Sequence, residues 1–303
     1  MQAWVTEWNA AELMGGVPDG VELVVWDARS PAPDDRTDVA VFVPPTWNKA
    51  ACLNVLPTLR SLRAIQLLSA GADWILPHVP PSVALCDARG AHDVAVAEWV
   101  MTAILTSLRG FDTFVRQQGQ RVWQPAETDT LYGKRVLVVG YGSIGAALER
   151  RLEVFGGDVR RVARRPRPGV HAVGTLLELL PDTDVLVLLL PLTPQTRGLV
   201  DADMLSRLPD GALVVNASRG AVVDTAALAV ELERKRLRAV LDVVEPEPLP
   251  AEHALWTLPG VIVTPHVASL TPTWLPGVYR LLRRQLLHLL DGTPFENQVV
   301  EGY

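Results

Sequence analysis

The sequence predicts an α/β protein with two doubly wound parallel-sheet domains, and three observations support this fold class. The chain has 303 residues, which favours two domains at about 100 to 200 residues each. Hydrophobic residues make up 49% of the chain, enough for two sizeable cores. Short apolar runs alternate with helical stretches in two separate series, and this alternation is typical of parallel sheets.

The first series occupies about the first hundred residues. Apolar runs at 21–26, 38–43 and 64–68 are bounded by Pro, Gly and Asp and are interpreted as buried strands. Helices are expected over residues 47–61 and 93–109. A parallel sheet with intervening helices follows from this order.

The second series begins near residue 135 and is more regular. Strands are expected at 135–139, 159–162, 184–190, 212–216, 239–243 and 261–264, with helices in most of the gaps. From about residue 274, apolar residues at three- and four-residue spacing predict a last helix. We expect the chain to return to the first domain at this helix.

Charge and apolar patterning exclude several classes of protein. Lys and Arg total 28 against 34 Asp and Glu, a net charge of −6, which excludes a generally basic nucleic-acid binder. The longest apolar runs are shorter than the about 20 residues of a membrane span, and no secretory signal is visible. Two cysteines, Cys52 and Cys86, are too few for a disulfide framework or a cysteine metal site. We therefore expect a cytoplasmic protein that binds no nucleic acid, membrane or metal.

A glycine-rich turn follows the first strand of the second series. Gly140, Gly142 and Gly145 match G-x-G-x-x-G directly between an apolar strand and a helix. The first glycine permits the tight turn, the second lets a pyrophosphate approach the backbone, and the third lets helix and strand pack closely. The helix that follows, beginning at Ser143 and Ile144, presents its N–H groups to the phosphates. The turn therefore predicts a Rossmann dinucleotide-binding domain.

The residues after the second strand of this series indicate which dinucleotide binds. An acid there normally binds the ribose 2′-OH of NAD, but Ala163 occupies the position and Arg164 and Arg165 follow it. Three of the 28 basic residues are lysines, so 25 are arginines, and seven of these lie between Arg150 and Arg167. A coding bias towards arginine, with solvated side chains and no ligand, is the alternative interpretation. Because arginine binds phosphate bidentately and no acid repels it here, we predict NADP, with NAD as the alternative.

Three segments of the second half place polar side chains directly after predicted strands. Arg219 follows the first of these strands, Asp242 and Glu247 follow the second, and His266 follows the third. Each residue alone is more often structural or solvated. The carboxyl ends of parallel strands meet at one edge, however, where doubly wound sheets bind ligands.

Together these motifs resemble the D-isomer-specific 2-hydroxyacid dehydrogenase family, over nearly the whole chain. Its hallmarks occur here in order: the glycine-rich turn, N-x-x-R-G at 216–220, D-V-x-x-x-E-P at 242–248 and T-P-H at 264–266. Further segments also match: residues 68–73 resemble the loop that binds the substrate carboxylate, 96–98 the start of the interdomain helix, and 191–196 a segment lining the cofactor.

The resemblance implies a role for each matching residue. His266 would be the acid/base, Glu247 its carboxylate partner and Arg219 the substrate-binding arginine. The backbone N–H groups of Ala70 and Gly71 would complete the grip on the substrate carboxylate. The remaining expected cofactor contacts are Asp242, near the nicotinamide carboxamide, and Leu190, Pro191, Thr196 and Ala217.

The chemistry of these side chains agrees with the implied roles. Reducing a 2-keto acid requires a hydride at C2 and a proton on the resulting alkoxide. Histidine is suited to proton transfer near neutral pH, and a neighbouring carboxylate stabilises its imidazolium form. The planar fork of arginine can hold the substrate carboxylate and polarise the keto oxygen.

These expectations combine into one predicted enzyme. Residues 1–98 and 270–303 would form a smaller flavodoxin-like substrate domain and 99–269 the Rossmann domain, with a cleft between them. The enzyme would be an oxidoreductase that transfers a hydride between NADPH and a small 2-keto or D-2-hydroxy acid of the glyoxylate/hydroxypyruvate type. An NAD-dependent phosphoglycerate or other D-2-hydroxyacid dehydrogenase, and a non-catalytic dinucleotide-sensing scaffold or corepressor, are the alternatives. The resemblance also implies a homodimer through residues 93–130.

Overall fold

The structure, a computed structural model, describes residues 1–299 and divides the chain into two compact units. One unit comprises Met1–His92 and Thr271–Tyr303, and the other comprises Asp93–Leu270. The chain returns to the first unit just before its last helix. The first crossing lies after His92 and not after residue 98, because one continuous helix that belongs to the second unit begins at Asp93.

Strands and helices alternate along most of the described chain. The strands are β1 (Gln2–Val5), β2 (Glu22–Val25), β3 (Val39–Phe42), β4 (Ala64–Gln66), β5 (Ala84–Cys86), β6 (Arg135–Val139), β7 (Asp158–Ala163), β8 (His171–Ala172), β9 (Val185–Leu188), β10 (Leu213–Asn216), β11 (Arg238–Leu241) and β12 (Val261–Val263). The α-helices are α1 (Ala10–Met14), α2 (Lys49–Val55), α3 (Asp93–Leu108), α4 (Phe111–Gln120), α5 (Ser143–Val154), α6 (Leu176–Leu179), α7 (Ala202–Arg207), α8 (Thr225–Glu233) and α9 (Trp274–Asp291).

The first unit contains a five-stranded parallel sheet in the order β2-β1-β3-β4-β5. This is the strand order of flavodoxin-like doubly wound folds. Both faces of this sheet are covered by apolar clusters. Successive side chains of a strand point to opposite faces, so neighbouring residues lie in different clusters. Trp4 packs with Trp26 and Phe42 on one face, while Ala3 lies in the apolar cluster that α9 covers on the other.

The first unit differs from the sequence prediction in several details, among them helix α1, which was not predicted. Strands β1 and β5 were not predicted. The helix expected over 47–61 ends at Val55, and a short 3₁₀ turn containing Pro57 follows it. Proline has no N–H to continue the helical hydrogen bonds, which accounts for the early end.

The second unit contains a seven-stranded parallel sheet in the order β12-β11-β10-β9-β6-β7-β8. Counted from β6, the order is that of a Rossmann sheet, with one extra strand beyond the usual six. Strand β9 is completely buried, and its residues alternate between two apolar clusters on the two faces. This double burial explains why the strands of the second series appear as continuous apolar runs. The predicted fold class is therefore confirmed.

No single helix of residues 1–299 is long and apolar enough to cross a membrane, and the pair α3 and α4, bent by 64°, passes on length and composition only. Within the same residues, no group of three or more His, Cys, Asp or Glu side chains is arranged to hold a metal ion.

Candidate active site

The glycine-rich turn lies between β6 and α5, and its three glycines have different surroundings. Gly140 has a φ of +98°, and a Cβ there would lie 2.6 Å from the carbonyl carbon of Leu189. A Cβ on Gly145 would lie 3.0 Å from the ring of Tyr141. Gly142, in contrast, is exposed and has open space beside it. The turn therefore packs tightly at two glycines and leaves an accessible backbone at the one where a pyrophosphate would approach.

The first turn of α5 completes this cradle. The residue before the helix, Gly142, has no side chain that could accept a hydrogen bond from the first N–H groups of α5. The N–H groups of Ser143 and Ile144 are therefore not capped by the side chain of that residue. The Ser143 hydroxyl donates to Asp93 Oδ1 at 3.0 Å. A helix N-terminus with these features suits a phosphate anion, so the residues present fit a dinucleotide.

The end of β7 is the position that would contact the adenosine ribose. Ala163 ends the strand, and Arg164 and Arg165 follow with exposed side chains. Arg167 was not among the predicted cofactor residues. Its Nη2 donates to the carbonyl oxygen of Tyr141 at 2.9 Å, and its guanidinium carbon lies 5.4 Å from the centre of the Tyr141 ring. The signal in the sequence was the arginine run itself, but nothing in it distinguished Arg167.

The loop after β9 packs beside the glycine turn. The backbone of Leu190 is close to Gly140, where a Cβ would lie 2.8 Å from the Leu190 nitrogen. The Thr196 hydroxyl donates to the carbonyl oxygen of Pro191 at 2.7 Å and so closes the loop. Ala217 begins the next loop along the sheet edge and donates its N–H to Leu188 at 3.2 Å. These four predicted residues thus lie at the carboxyl edge of the sheet, and their contacts to a cofactor stay predictions.

The side chain of Asn216 shapes the loop that carries Arg219. Its Oδ1 accepts hydrogen bonds from the Ser218 N–H at 3.0 Å and the Ser218 hydroxyl at 2.6 Å, and its Nδ2 donates to the Arg219 carbonyl at 3.0 Å. A Cβ on Gly220 would overlap the carbonyl of Val244. The N-x-x-R-G motif is therefore a folded turn that packs against the loop carrying Glu247.

Asp242 is buried, and its carboxylate binds the turn that carries His266. Oδ1 accepts from the Thr264 hydroxyl at 2.6 Å and from the Val267 N–H at 2.8 Å, and Oδ2 accepts from the Ala268 N–H at 2.9 Å. The backbone oxygen of Asp242 also accepts from the His266 N–H at 2.8 Å. These bonds hold the T-P-H turn, which sequence reasoning did not foresee. The role near the nicotinamide carboxamide stays a prediction.

His266 and Glu247 form a hydrogen-bonded pair at this edge. Nδ1 of His266 lies 2.9 Å from Oε2 of Glu247, and Oε1 of Glu247 accepts from the Val244 N–H at 3.2 Å. The side chains are 49% and 38% exposed, so the pair is accessible to solvent. His266 has a φ of +55°, a left-handed conformation that is uncommon outside glycine. The hydrogen bonds of Asp242 to the turn hold this conformation.

The ionisation of Glu247 fixes which nitrogen of His266 carries the hydrogen. Partial burial alone would raise the pKa of Glu247, but the hydrogen bond and charge of His266, the Val244 N–H and the charge of Arg219 together lower it below its ordinary value. An ionised carboxylate only accepts hydrogen bonds, so Nδ1 must be the donor. Nε2, which makes no hydrogen bond to residues 1–299, is then the nitrogen available for proton exchange.

Ala70 and Gly71 lie in the first unit, in the loop after β4. The Ser69 hydroxyl donates to the Gly71 carbonyl at 2.9 Å, and the Ser69 carbonyl accepts from the Ala88 N–H at 3.0 Å. The loop is thus closed on itself and fastened to the segment after β5. Its grip on a substrate carboxylate stays a prediction of the resemblance.

Comparisons with known proteins agree with these features. The sequence model of the "D-isomer specific 2-hydroxyacid dehydrogenase, NAD binding domain" matches residues 101–268. A glyoxylate/hydroxypyruvate reductase A from Salmonella typhimurium is 34% identical over 260 residues, which cover 80% of this chain and 83% of the relative.

Solved structures of similar proteins cover the whole fold. A D-isomer-specific 2-hydroxyacid dehydrogenase from Xanthobacter autotrophicus Py2, solved with NADPH and MES, has a TM-score of 0.83 at 28% identity and covers 99% of both chains. An NADPH-dependent glyoxylate/hydroxypyruvate reductase from Sinorhizobium meliloti, solved with NADP and sulfate, has a TM-score of 0.85 at 26% identity, over 98% of this chain and 96% of that one. The protein described here belongs to the D-isomer-specific 2-hydroxyacid dehydrogenase family.

Proposed function

We propose that the protein reduces small 2-keto acids of the glyoxylate/hydroxypyruvate type, with NADPH as the preferred cofactor. The observation that carries the proposal is the His266–Glu247 pair, 2.9 Å apart, on the sheet edge that also bears Arg219 and the glycine-rich turn. The names of the Salmonella and Sinorhizobium relatives support this substrate class.

Each side chain has a separate task in the proposed reaction. When bound, the nicotinamide dinucleotide supplies a hydride to C2 of the keto acid. Arg219 binds the substrate carboxylate and polarises the keto oxygen, which acquires negative charge during the reaction. His266 donates the proton on Nε2 to that oxygen, and the product is the 2-hydroxy acid. Glu247 accepts from Nδ1 throughout, so it orients the ring and stabilises its protonated form.

The cofactor preference rests on the end of β7. Ala163 replaces the acid that would bind a ribose 2′-OH and repel a 2′-phosphate, and Arg164 and Arg165 add positive charge beside it. The Xanthobacter and Sinorhizobium structures contain NADPH and NADP, which supports the same preference here. NAD remains the alternative cofactor.

One assay tests the proposal against both alternatives. Glyoxylate, hydroxypyruvate, pyruvate and 2-ketobutyrate are each supplied with NADPH and with NADH, and D-3-phosphoglycerate is supplied with NAD in the reverse direction. We expect the highest kcat/KM for glyoxylate or hydroxypyruvate with NADPH. Oxidation of phosphoglycerate as the best reaction would replace the proposal by the first alternative. No turnover with any pair would favour the non-catalytic scaffold.

We also propose a homodimer formed through residues 93–130. Phe111, Val115 and Trp123 expose apolar surface on and after α4, and Trp123 is 98% exposed. An adjoining groove of about 650 Å³ is lined by Phe114 and Val122. Large exposed apolar side chains beside an apolar groove are typical of protein interfaces. Sedimentation analysis of the parent and of Trp123→Ala tests the assignment, since a monomeric parent would contradict it.

The proposed location is the cytoplasm. Both cysteines, Cys52 and Cys86, are free and buried, which is consistent with a reducing compartment. The proposed dinucleotide cofactor is also an intracellular compound. Cell fractionation tests this, and recovery outside the cytoplasmic fraction would contradict it.

A further inference from the structure

Tyr141, the residue between the first two glycines of the turn, contacts two arginines of the β7 segment. The guanidinium carbons of Arg161 and Arg167 lie 5.9 Å and 5.4 Å from the centre of its ring. We propose that Tyr141 is a positioning residue for Arg167, and that Arg167 held in this way is the principal ligand of the adenosine 2′-phosphate. The inference rests on the proposed use of NADPH, and it adds Arg167 to the Arg164–Arg165 pair as a determinant of the selectivity.

The Tyr141 ring is fixed at several points. Its hydroxyl donates to Glu149, whose carboxylate also forms an ion pair with Arg161. Burial, followed by the hydrogen bond and charge of Glu149, raises the pKa of Tyr141, so the hydroxyl keeps its hydrogen. The backbone N–H groups of Gly140 and Tyr141 both donate to the Val162 carbonyl at 2.9 Å. The ring is therefore fixed at its hydroxyl by Glu149, and the backbone that carries it is hydrogen-bonded to the end of β7.

Arg161 and Arg167 differ in whether a carboxylate lies beside the guanidinium group. Arg161 is neutralised by Glu149, and Glu153 lies 3.8 Å from it. For Arg167, no carboxylate of residues 1–299 lies within 4 Å of the guanidinium. An arginine without an acidic partner keeps its full attraction for a phosphate.

The backbone and side chain of Arg167 are both held. Its N–H donates to the Val170 carbonyl at 3.3 Å, and the Val170 N–H donates to its carbonyl at 2.8 Å, so a closed turn carries it. The side chain donates from Nη2 to the Tyr141 carbonyl at 2.9 Å and packs on the ring. Less conformational entropy is lost when such a side chain binds a ligand.

The location of Arg167 matches that of a 2′-phosphate. In Rossmann domains the ribose 2′-OH is bound at the end of the second strand, here Ala163, beside the glycine-rich turn. Val162 joins these two segments through its carbonyl, and Arg167 reaches the same turn at Tyr141. Arg167 thus presents its charge where an acid would bind the ribose of NAD.

The test measures binding and needs no catalysis. Isothermal titration gives the affinities for 2′,5′-ADP, which carries the 2′-phosphate, and for 5′-AMP, which lacks it. For Arg167→Ala we expect about a tenfold or larger loss of affinity for 2′,5′-ADP, from a lost charge-assisted contact, and less than a twofold change for 5′-AMP. Arg234→Ala removes another exposed positive charge of the same unit and should change neither affinity.

Two substitutions at Tyr141 separate positioning from folding. Tyr141→Phe keeps the ring and loses only the hydroxyl bond to Glu149, so the 2′,5′-ADP selectivity should be retained. Tyr141→Leu removes the aromatic face and should lower it about two- to fivefold, as a lost cation–π contact would. Circular dichroism checks that both variants are folded.

Each outcome has a distinct meaning. If the parent binds 2′,5′-ADP no more tightly than 5′-AMP, the proposed use of NADPH is wrong. If the parent discriminates and Arg167→Ala discriminates equally well, the inference is wrong while the proposed function stands. Equal selectivity in Tyr141→Leu and the parent would overturn the positioning role alone.

Discussion

The substitution Asp242→Asn separates two roles of the Asp242 carboxylate. One is to hold the turn that carries His266, and the other is to contact the cofactor directly. In the folded chain both oxygens of Asp242 accept hydrogen bonds from the turn of residues 264–268, and the side chain is 2% exposed. Asparagine has one oxygen and one NH₂ group. If the oxygen replaces Oδ1, it keeps the bonds from Thr264 and Val267, and the NH₂ group then faces the N–H of Ala268 donor to donor.

The magnitude follows from the bond that is lost. A hydrogen bond to a buried charged group contributes about 1.5 to 3 kcal/mol. If that free energy is lost from the turn conformation that holds His266 at a φ of +55°, the competent conformation becomes about 10 to 150 times less populated. We expect kcat to fall within this range, while the Kd of NADPH changes by less than threefold.

The assay combines steady-state kinetics with NADPH fluorescence titration. Thr264→Val is the matched control, because it removes one neutral donor to Oδ1 and leaves the two backbone donors in place. It should lower kcat by less than tenfold. A kcat for Asp242→Asn equal to that of the parent, with NADPH binding weakened more than tenfold, would refute the reasoning and favour a direct cofactor contact.

Three further predictions concern the cofactor residues and pH. Gly140→Ala forces a Cβ to 2.6 Å from Leu189 at a positive φ, so we expect at least a tenfold weaker NADPH affinity by fluorescence titration, and unchanged affinity would contradict the packing argument. The Arg164→Ala/Arg165→Ala double variant should lower the ratio of kcat/KM with NADPH to that with NADH, and an unchanged ratio would place the selectivity elsewhere. Because the pKa of Glu247 is lowered, its ion pair stabilises the fold above the ordinary glutamate value of about 4.5 and is lost as pH falls through the lowered pKa. The stability difference between the parent and Glu247→Gln in urea should therefore shrink below pH 4.5, and a difference that grows there would contradict the sign.

The sequence predicted the fold best where burial on both faces imposes a simple pattern. Strands β6 and β9 are enclosed by two apolar clusters, so nearly every residue in them is apolar. Each strand can therefore be recognised in the sequence as a continuous apolar run. Strand β8 has two residues, too few for any periodicity to develop. Helix α4 was missed because it buries none of its residues and so lacks an apolar face directed at a core.

The sequence predicted that Glu247 and His266 lie close together, but it did not predict the hydrogen bonds that hold them in place. The order of motifs after successive strands placed Glu247 and His266 at one edge, because parallel strands end together. The bonds from Asp242 to the T-P-H turn depend on loop conformation, which no local pattern encodes. The same holds for Arg167 and Tyr141, 26 residues apart, whose contact requires the turn after β7 to fold back onto the glycines.

His266→Gln tests whether His266 transfers the proton in the proposed reduction. Glutamine keeps a polar side chain at this half-exposed position but cannot donate a proton at neutral pH. With the best keto acid and saturating NADPH, we expect kcat to fall by about 100-fold or more, which is the usual contribution of general acid catalysis, with the Kd of NADPH unchanged. A variant that retains kcat within a few fold of the parent would show that His266 is not the proton donor.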